Sequence, residues 1–145
     1  MPAALVSAEV VVGAFVVLLA VGLGLTFARR LVVRRGRTLT LCAWRARPAD
    51  RWRVGLMRQG SAELAWFTLL GVSTRPRHLW DRAVIDLSAP TILQRVDHIE
   101  LIPDAVLVRC SHGTEQFELA LATPAYTALR SWAEAAPPGS AANVA

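Results

Sequence analysis

Apolar residues fill the front of the chain almost without interruption. Residues 10–28 form 19 consecutive uncharged positions, most of them Val, Leu, Ala or Gly. As an α-helix this stretch would be roughly 28 Å long, which matches the ~30 Å hydrocarbon core of a bilayer. The pattern therefore predicts a transmembrane helix over residues 10–28, preceded by a short extracytoplasmic N-terminus at residues 1–9.

An arginine-rich belt, residues 29–37, follows the predicted span directly, and no Arg or Lys precedes it. The belt arginines are Arg29, Arg30, Arg34, Arg35 and Arg37. Flanking arginines keep their side of a span in the cytoplasm, so we expect a single-pass plasma-membrane protein with its N-terminus outside. A signal peptide would need a basic n-region and a small-residue cleavage site, and residues 1–28 have neither. The inverted orientation would make the remainder an exported domain.

From residue 38 onward the period of the apolar positions changes to two, which indicates β-strands. Leu39, Leu41 and Ala43 share one face of the first strand, and Trp52, Val54 and Leu56 share one face of the second. Gly60 and Ser61 mark a hairpin into a third strand. Later strands are predicted within residues 78–87, 98–103, 105–111 and 115–122, whereas residues 91–97 fit either a turn of helix or a loop. In the strand over residues 115–122, Phe117, Leu119 and Leu121 alternate with polar or small residues and share one face.

The last periodic segment is helical. Thr123 is a predicted N-cap before Pro124, and an apolar stripe that includes Leu129, Trp132 and Ala136 predicts a helix over residues 124–136. About seven strands followed by one amphipathic helix is the order of a pleckstrin-homology-like barrel over residues 38–136, in which the helix closes one end. We expect Trp132 to be the plug and residues 137–145 to be a disordered tail.

Several blocks occur in an order typical of one family: WRVGLMR, ELAWF, STRPR, FELALA and LRSWAEAAPPG. With the apolar span and the belt before them, they resemble the actinobacterial Domain of Unknown Function 2550 family over nearly the whole chain. The resemblance implies a single-pass membrane protein often encoded beside the ATP synthase genes. The stretch LSAPTILQRVDHIELIP departs from the more charged sequence that the family resemblance implies there.

The charge is concentrated near the span. Residues 29–53 contain nine arginines and one aspartate, for a net charge of +8, whereas residues 54–145 have a net charge of −2. A nucleic-acid-binding domain would carry its basic surface on the folded part, so no nucleic-acid partner is expected.

Residues that could carry chemistry are few and scattered. The three histidines are His78, His98 and His112, and no nucleophile, zinc or phosphate-loop motif is present. Cys110 and His112 allow a nucleophile or metal interpretation, but two ligands do not make a structural zinc site. We therefore expect no enzyme, no metal and no cofactor. Cys42 and Cys110 are interpreted as buried, reduced core residues.

Binding through arginine is the remaining chemistry. The first predicted turn is bracketed by Arg45, Arg47, Arg51 and Arg53, which, together with the belt, are candidate contacts for anionic lipid headgroups. A second candidate pair, Arg75 and Arg77, would contact a phosphate or an acidic partner. For both sets the alternative is a solvated surface, and for the belt the alternative is an orientation signal alone.

Small residues recur every fourth position in the span, at Ala20, Gly24 and Ala28, and would allow close helix packing. The favoured function is a membrane-anchored, non-enzymatic adaptor that docks proteins at the cytoplasmic face, because a tether raises the effective concentration for weak contacts. ATP synthase is a candidate partner through the gene proximity that the resemblance implies. The alternative functions are an anionic-lipid sensor and, in the inverted orientation, an exported domain.

Overall fold

A computed structural model describes residues 2–34 and 37–135 and divides into two compact units. One unit combines the N-terminal helix α1, Pro2–Arg34, with the short loop Leu70–Thr74. Within α1, residues Ser7–Arg34 form one helix that is long and apolar enough to cross a membrane. The helix is continuous through the first part of the arginine belt, so Arg29, Arg30 and Arg34 are helical.

The other unit is a nearly closed antiparallel barrel, as predicted. Its strands are β1 Leu39–Arg45, β2 Arg53–Gln59, β3 Glu63–Thr68, β4 His78–Asp81, β5 Ile85–Leu87, β6 Thr91–Ile92, β7 Ala105–His112 and β8 Glu115–Ala122. Seven of them follow the order β4-β3-β2-β1-β8-β7-β5, and the two-residue β6 pairs with β7 off this path. Together with a C-terminal helix, this is the pleckstrin-homology-like arrangement expected from the sequence.

The barrel interior is a column of large side chains. Trp66 and Trp80 are each about 1% exposed, and the rings of Trp80 and Phe117 stack with their centroids 4.3 Å apart. Leu119 and Leu121 of β8 complete this core, which confirms the face predicted for that strand. Each such apolar side chain contributes roughly 1.5–3 kcal/mol when it is removed from water.

A second apolar cluster lies on the outer face of the sheet. There Ile99 and Ile102 cover Ala43 of β1 and Ala120 of β8. These isoleucines belong to the outer segment, residues 88–104, which links β5 to β7. The prediction of a strand over residues 98–103 is therefore wrong: Ile102 N–H donates to Ile99 C=O in a turn, and the i,i+3 spacing directs both side chains onto the sheet.

This cover explains why the apolar faces predicted for β1 and β2 lie outside the barrel interior and are nevertheless packed. Leu41 and Val54 pack in the outer cluster, whereas Cys42 and Met57, on the opposite faces, are fully buried inside the barrel. Both faces of these strands carry apolar residues because both are covered. An alternating pattern then no longer identifies the inner face.

Helix α2, Thr123–Glu134, closes one end of the barrel. It begins at Thr123, with Ala122 rather than Thr123 at the N-cap position, and Pro124 lies in its first turn. The fully buried plug is Leu129 and not Trp132. The Trp132 ring is only partly buried, and its Nε1–H donates to Gly60 C=O at 2.6 Å. The predicted helix end at Ala136 and the predicted tail 137–145 lie outside the described residues.

Candidate anion-binding site

The belt arginines have different environments in the structure. Arg30 and Arg34 are exposed on α1, and Arg37 is exposed before β1, whereas Arg35 lies outside the described residues. Arg29 is buried, and its Nε–H donates to Ser73 C=O in the loop of the same unit. The small residues Ala20, Gly24 and Ala28 are exposed along α1.

Arg45 is not an exposed cation of the first turn. It is 4% exposed, and its Nε pairs with Glu118 Oε2 across β1 and β8. A second nitrogen, Nη1, lies 3.1 Å from Asp97 Oδ1 of the outer segment. With two carboxylates on one guanidinium, the Arg45 charge is neutralised within the fold, so Arg45 is removed from the candidate anion contacts.

The turn between β1 and β2 holds its backbone with its own aspartate. Arg47 N–H donates to Asp50 Oδ2 at 3.0 Å, and Asp50 N–H donates back to Arg47 C=O at 3.0 Å. This closed turn leaves Arg47 exposed and places Arg51 two residues before the start of β2. Asp50, the one acidic residue among the nine arginines of residues 29–53, thus serves partly as a hydrogen-bond acceptor that forms the turn.

Arg51 of this turn and Arg53, the first residue of β2, meet a third arginine from the β3–β4 connection. A cavity of about 370 Å³ is lined by Arg51, Arg53, Arg77 and His78, with Trp44, Arg45, Ala46 and Asp50 completing its wall. Arg77 reaches it because Arg77 N–H donates to Trp66 C=O at 2.8 Å, which ties the end of the connection to β3. The structure thus brings together residues from both sets of candidate arginines. Arg75, from the second set, is exposed and is not among the lining residues.

The charges of this cavity are available to a ligand. Within residues 2–34 and 37–135, no carboxylate forms an ion pair with the guanidinium groups of Arg51, Arg53 or Arg77. Asp50 is the acid in the wall. Three guanidinium groups facing one carboxylate leave a net positive site, and the planar arginine fork matches phosphate or carboxylate oxygens.

His78 forms the aromatic side of the cavity. Its ring stacks on Trp44 with centroids 4.1 Å apart, and it is nearly parallel to the ring of Trp80, with centroids 5.5 Å apart. Burial lowers the pKa of His78 below its usual value; Glu115 opposes this shift, and Arg77 and Arg53 reinforce it. The neutral imidazole can gain a proton when an anion enters and compensates the neighbouring arginines.

A second cavity, of about 460 Å³, has mixed charge. Arg47 and Arg109 line it together with Asp86 and Glu118. Arg109 Nε lies 3.5 Å from Glu118 Oε1, so part of its positive charge is already compensated. This balance makes the second cavity a weaker anion site than the first.

The cysteine and histidine of β7 do not cooperate. Cys110 packs in the barrel core, where burial raises the pKa of its thiol, and this disfavours the nucleophilic thiolate. His112 instead accepts a hydrogen bond at Nε2 from Asp81 N–H at 3.1 Å. Among the described residues, no group of three or more His, Cys, Asp or Glu side chains lies close enough to hold a metal ion.

Sequence reasoning identified the cavity's arginines but not their assembly. The aromatic partners Trp44 and His78 were missed because nothing local relates a residue at the end of β1 to one at the start of β4. The alternation of β1 does place Trp44 on the same face as the buried Cys42, and that was the available signal.

A helix of membrane-spanning length and a nearly closed barrel with an arginine-lined cavity together define the molecule. The family model described as "Protein of unknown function (DUF2550)" matches residues 16–139, and the chain belongs to this family. No match was found among curated proteins or among solved structures.

Proposed function

We propose that this protein is a membrane-anchored, non-enzymatic recognition domain whose arginine cavity binds a phosphate group. The observation that carries the proposal is the convergence of Arg51, Arg53 and Arg77, without carboxylate ion pairs in the described part of the chain, on one cavity beside His78. Charge-assisted hydrogen bonds from arginine to phosphate are among the stronger polar contacts in proteins. The phosphate belongs either to an anionic lipid headgroup or to a soluble ligand.

The anchor supports this function by holding the domain at a surface rich in such groups. Helix α1 spans the plasma membrane, with the N-terminus outside and the barrel in the cytoplasm, because arginine follows the apolar segment and does not precede it. The cytoplasmic leaflet is negatively charged and attracts exposed basic residues such as Arg30 and Arg34. The family resemblance further implies an actinobacterial protein.

The test uses the full chain in nanodiscs of zwitterionic phosphatidylcholine, titrated with inorganic phosphate and with glycerol 3-phosphate while Trp fluorescence is recorded. A second set of nanodiscs contains phosphatidylglycerol. Competition between this lipid and the soluble phosphates identifies the headgroup as the ligand, whereas binding of soluble phosphate unaffected by the lipid identifies a free ligand.

Variants assign the binding to the cavity. Losing one charge-assisted hydrogen bond weakens binding by roughly tenfold. We therefore expect the affinity for phosphate to fall by about this factor in Arg53→Gln and in Arg77→Gln. Arg130→Gln is the matched control, because Arg130 lies on α2 and pairs with Glu134. Equal affinity in all three variants and the wild type, or no binding of any phosphate, would remove the proposal.

A second candidate function, the adaptor that docks a protein, is favoured by the outer segment. Its residues Ile92, Val96 and Leu101 are 90%, 93% and 56% exposed, respectively. The three residues lie within ten positions of one segment, and contiguous exposed aliphatic surface is typical of protein contact surfaces. Gene proximity, implied by the family resemblance, makes ATP synthase the partner to test.

Binding of purified ATP synthase to the wild-type chain, and loss of this binding in the Ile92→Ser, Val96→Ser double variant, would support the adaptor. Equal binding by the two proteins, or no binding by either, would contradict it.

A further inference from the structure

The loop Leu70–Thr74, between β3 and β4, belongs to the same compact unit as α1. Ser73 C=O accepts a hydrogen bond from Arg29 Nε, which fixes the loop at one turn of the helix. Arg29 is the first charged residue after the uncharged stretch 10–28. The loop therefore lies at the helix level where a bilayer's hydrocarbon core would give way to its headgroups.

Arg29 differs from the other described belt arginines of α1. It is 6% exposed, whereas Arg30 and Arg34 are exposed. A buried guanidinium bonded to a backbone carbonyl holds the loop in place rather than contacting headgroups. Arg29 therefore positions the loop Leu70–Thr74 next to the end of the apolar stretch.

The loop carries two large aliphatic side chains in the open. Leu70 is 81% exposed and Val72 is 72% exposed. Gly71 between them has a φ of 140°, a conformation that favours glycine and shapes the turn. No residue from 70 to 74 is charged. A tight, uncharged turn that exposes two aliphatic residues beside the end of an apolar helix has the composition of a segment that enters a membrane interface.

We propose that Leu70 and Val72 insert into the headgroup–acyl boundary of the leaflet from which α1 emerges, as a second membrane contact next to the span. The occupant of this apolar surface is thus lipid, because Ser73, the neighbour of Val72, is bonded to Arg29 at the end of the apolar stretch of α1. Insertion removes the two side chains from water and adds to the anchoring by the helix. The inference depends on the proposed membrane span and is independent of the arginine cavity.

The test measures the depth of nitroxide labels by electron paramagnetic resonance in the full chain reconstituted into liposomes. Leu70→Cys and Val72→Cys are labelled separately, and their exposure means that neither change disturbs the core. The native Cys42 and Cys110 are 0% and 3% exposed and remain unlabelled in the folded protein. A label at Phe27→Cys, in the last turn of the apolar stretch, provides the reference signal for a position in lipid. Ile92→Cys is the matched control, as a 90% exposed aliphatic position in the other unit.

We expect the labels at positions 27, 70 and 72 to be more accessible to oxygen than to the water-soluble nickel reagent, with the opposite ratio at position 92. A lipid signal at position 27 with an aqueous signal at 70 and 72 would overturn the loop contact and leave the span intact. If the labels at positions 70 and 72 were shielded from both reagents, protein would cover the loop, and the inference would be overturned. A lipid signal from the label at position 92 would indicate general adsorption of the domain to the bilayer and would also overturn the inference. An aqueous signal at position 27 would overturn the span itself, whereas the phosphate titration tests the cavity separately.

Discussion

Arg45 and Glu118 face each other across β1 and β8 and form an ion pair whose two side chains are 5% and 6% exposed. Arg45 also lies over the ring of Trp52, with its Cζ 4.2 Å from the ring centroid. Asp97 joins the pair from the outer segment. One guanidinium therefore links two strands of the barrel to the segment that covers its outer face.

Removing the acid from this pair should strongly destabilise the barrel. Glu118→Gln keeps the size of the side chain but leaves the buried Arg45 charge with Asp97 alone. Because the Asp97 side chain is 34% exposed and compensates the buried charge only in part, we expect the free energy of unfolding to fall by about 3 kcal/mol. Urea denaturation followed by Trp fluorescence measures it. Glu134→Gln, which breaks the exposed pair with Arg130, serves as the control and should leave the midpoint unchanged; equal effects of the two variants would refute a structural role for the buried pair.

Gly55 of β2 should not tolerate a methyl group. A Cβ added there would lie 2.2 Å from Phe67 C=O and 2.5 Å from a ring carbon of Trp66. Because the tryptophan is packed in the core and the carbonyl belongs to the neighbouring strand, Gly55→Ala should cost about 2–3 kcal/mol through overpacking. Thermal unfolding measured by circular dichroism tests this. Gly22→Ala on α1, which meets nothing within 4 Å, should not shift the transition of the barrel, and an unshifted Gly55→Ala would contradict the close packing.

The stability of the barrel should depend on the protonation state of His78. Burial lowers the pKa of His78 in the folded protein below the 6.5 of an ordinary histidine. The unfolded chain then binds more protons, so the stability contributed by neutral His78 is present above about pH 6.5 and is lost as the pH falls toward the folded-state pKa. His78→Gln should remove this part of the pH dependence.

A bound phosphate should raise the pKa of His78 from its lowered value, because the anion compensates the Arg53 and Arg77 charges and favours the imidazolium, while the larger effect of burial remains. We therefore expect inorganic phosphate to raise the pKa of His78 in an NMR titration of the full chain, and phosphate affinity to increase as the pH falls. The resonance that disappears in His78→Gln assigns the signal. An identical titration curve with and without phosphate would mean that the anion does not bind beside His78.

The two native cysteines should be inert in the folded protein. Burial raises the pKa of the Cys42 and Cys110 thiols, which leaves almost no reactive thiolate near neutral pH. We expect no reaction with a charged disulfide reagent in native buffer and two reacted thiols after denaturation. Rapid reaction in native buffer would contradict the described core.

Their inertness makes a new cysteine suitable for determining orientation. Ser61→Cys lies on the exposed β2–β3 turn, where its thiol can react with a maleimide. In the proposed orientation this turn is cytoplasmic, and an impermeant maleimide should label it only after intact cells are opened. Labelling of intact cells would place the barrel outside and reverse the proposed orientation.

Local patterns predicted much of this fold. The period of two gave the positions of β1, β2, β3, β7 and β8, and the face of β8, because these depend on near neighbours in the chain. The strand predicted over residues 98–103 failed because its apolar residues contact the outer face of the sheet through a turn. A short apolar run does not distinguish these conformations.

Amino-acid order by itself determined the apolar helix, the arginine belt that follows it, and the alternation of strands closed by a final helix. Hydrophobic length and periodicity act over a few residues and need no distant partner. Only the tertiary structure decided that both faces of β1 and β2 are covered, that Arg45 is neutralised by Glu118, and that Arg77 joins Arg51 and Arg53 around one cavity. These outcomes depend on contacts between residues far apart in the chain, and a side chain's charge becomes available or buried according to which of those contacts form.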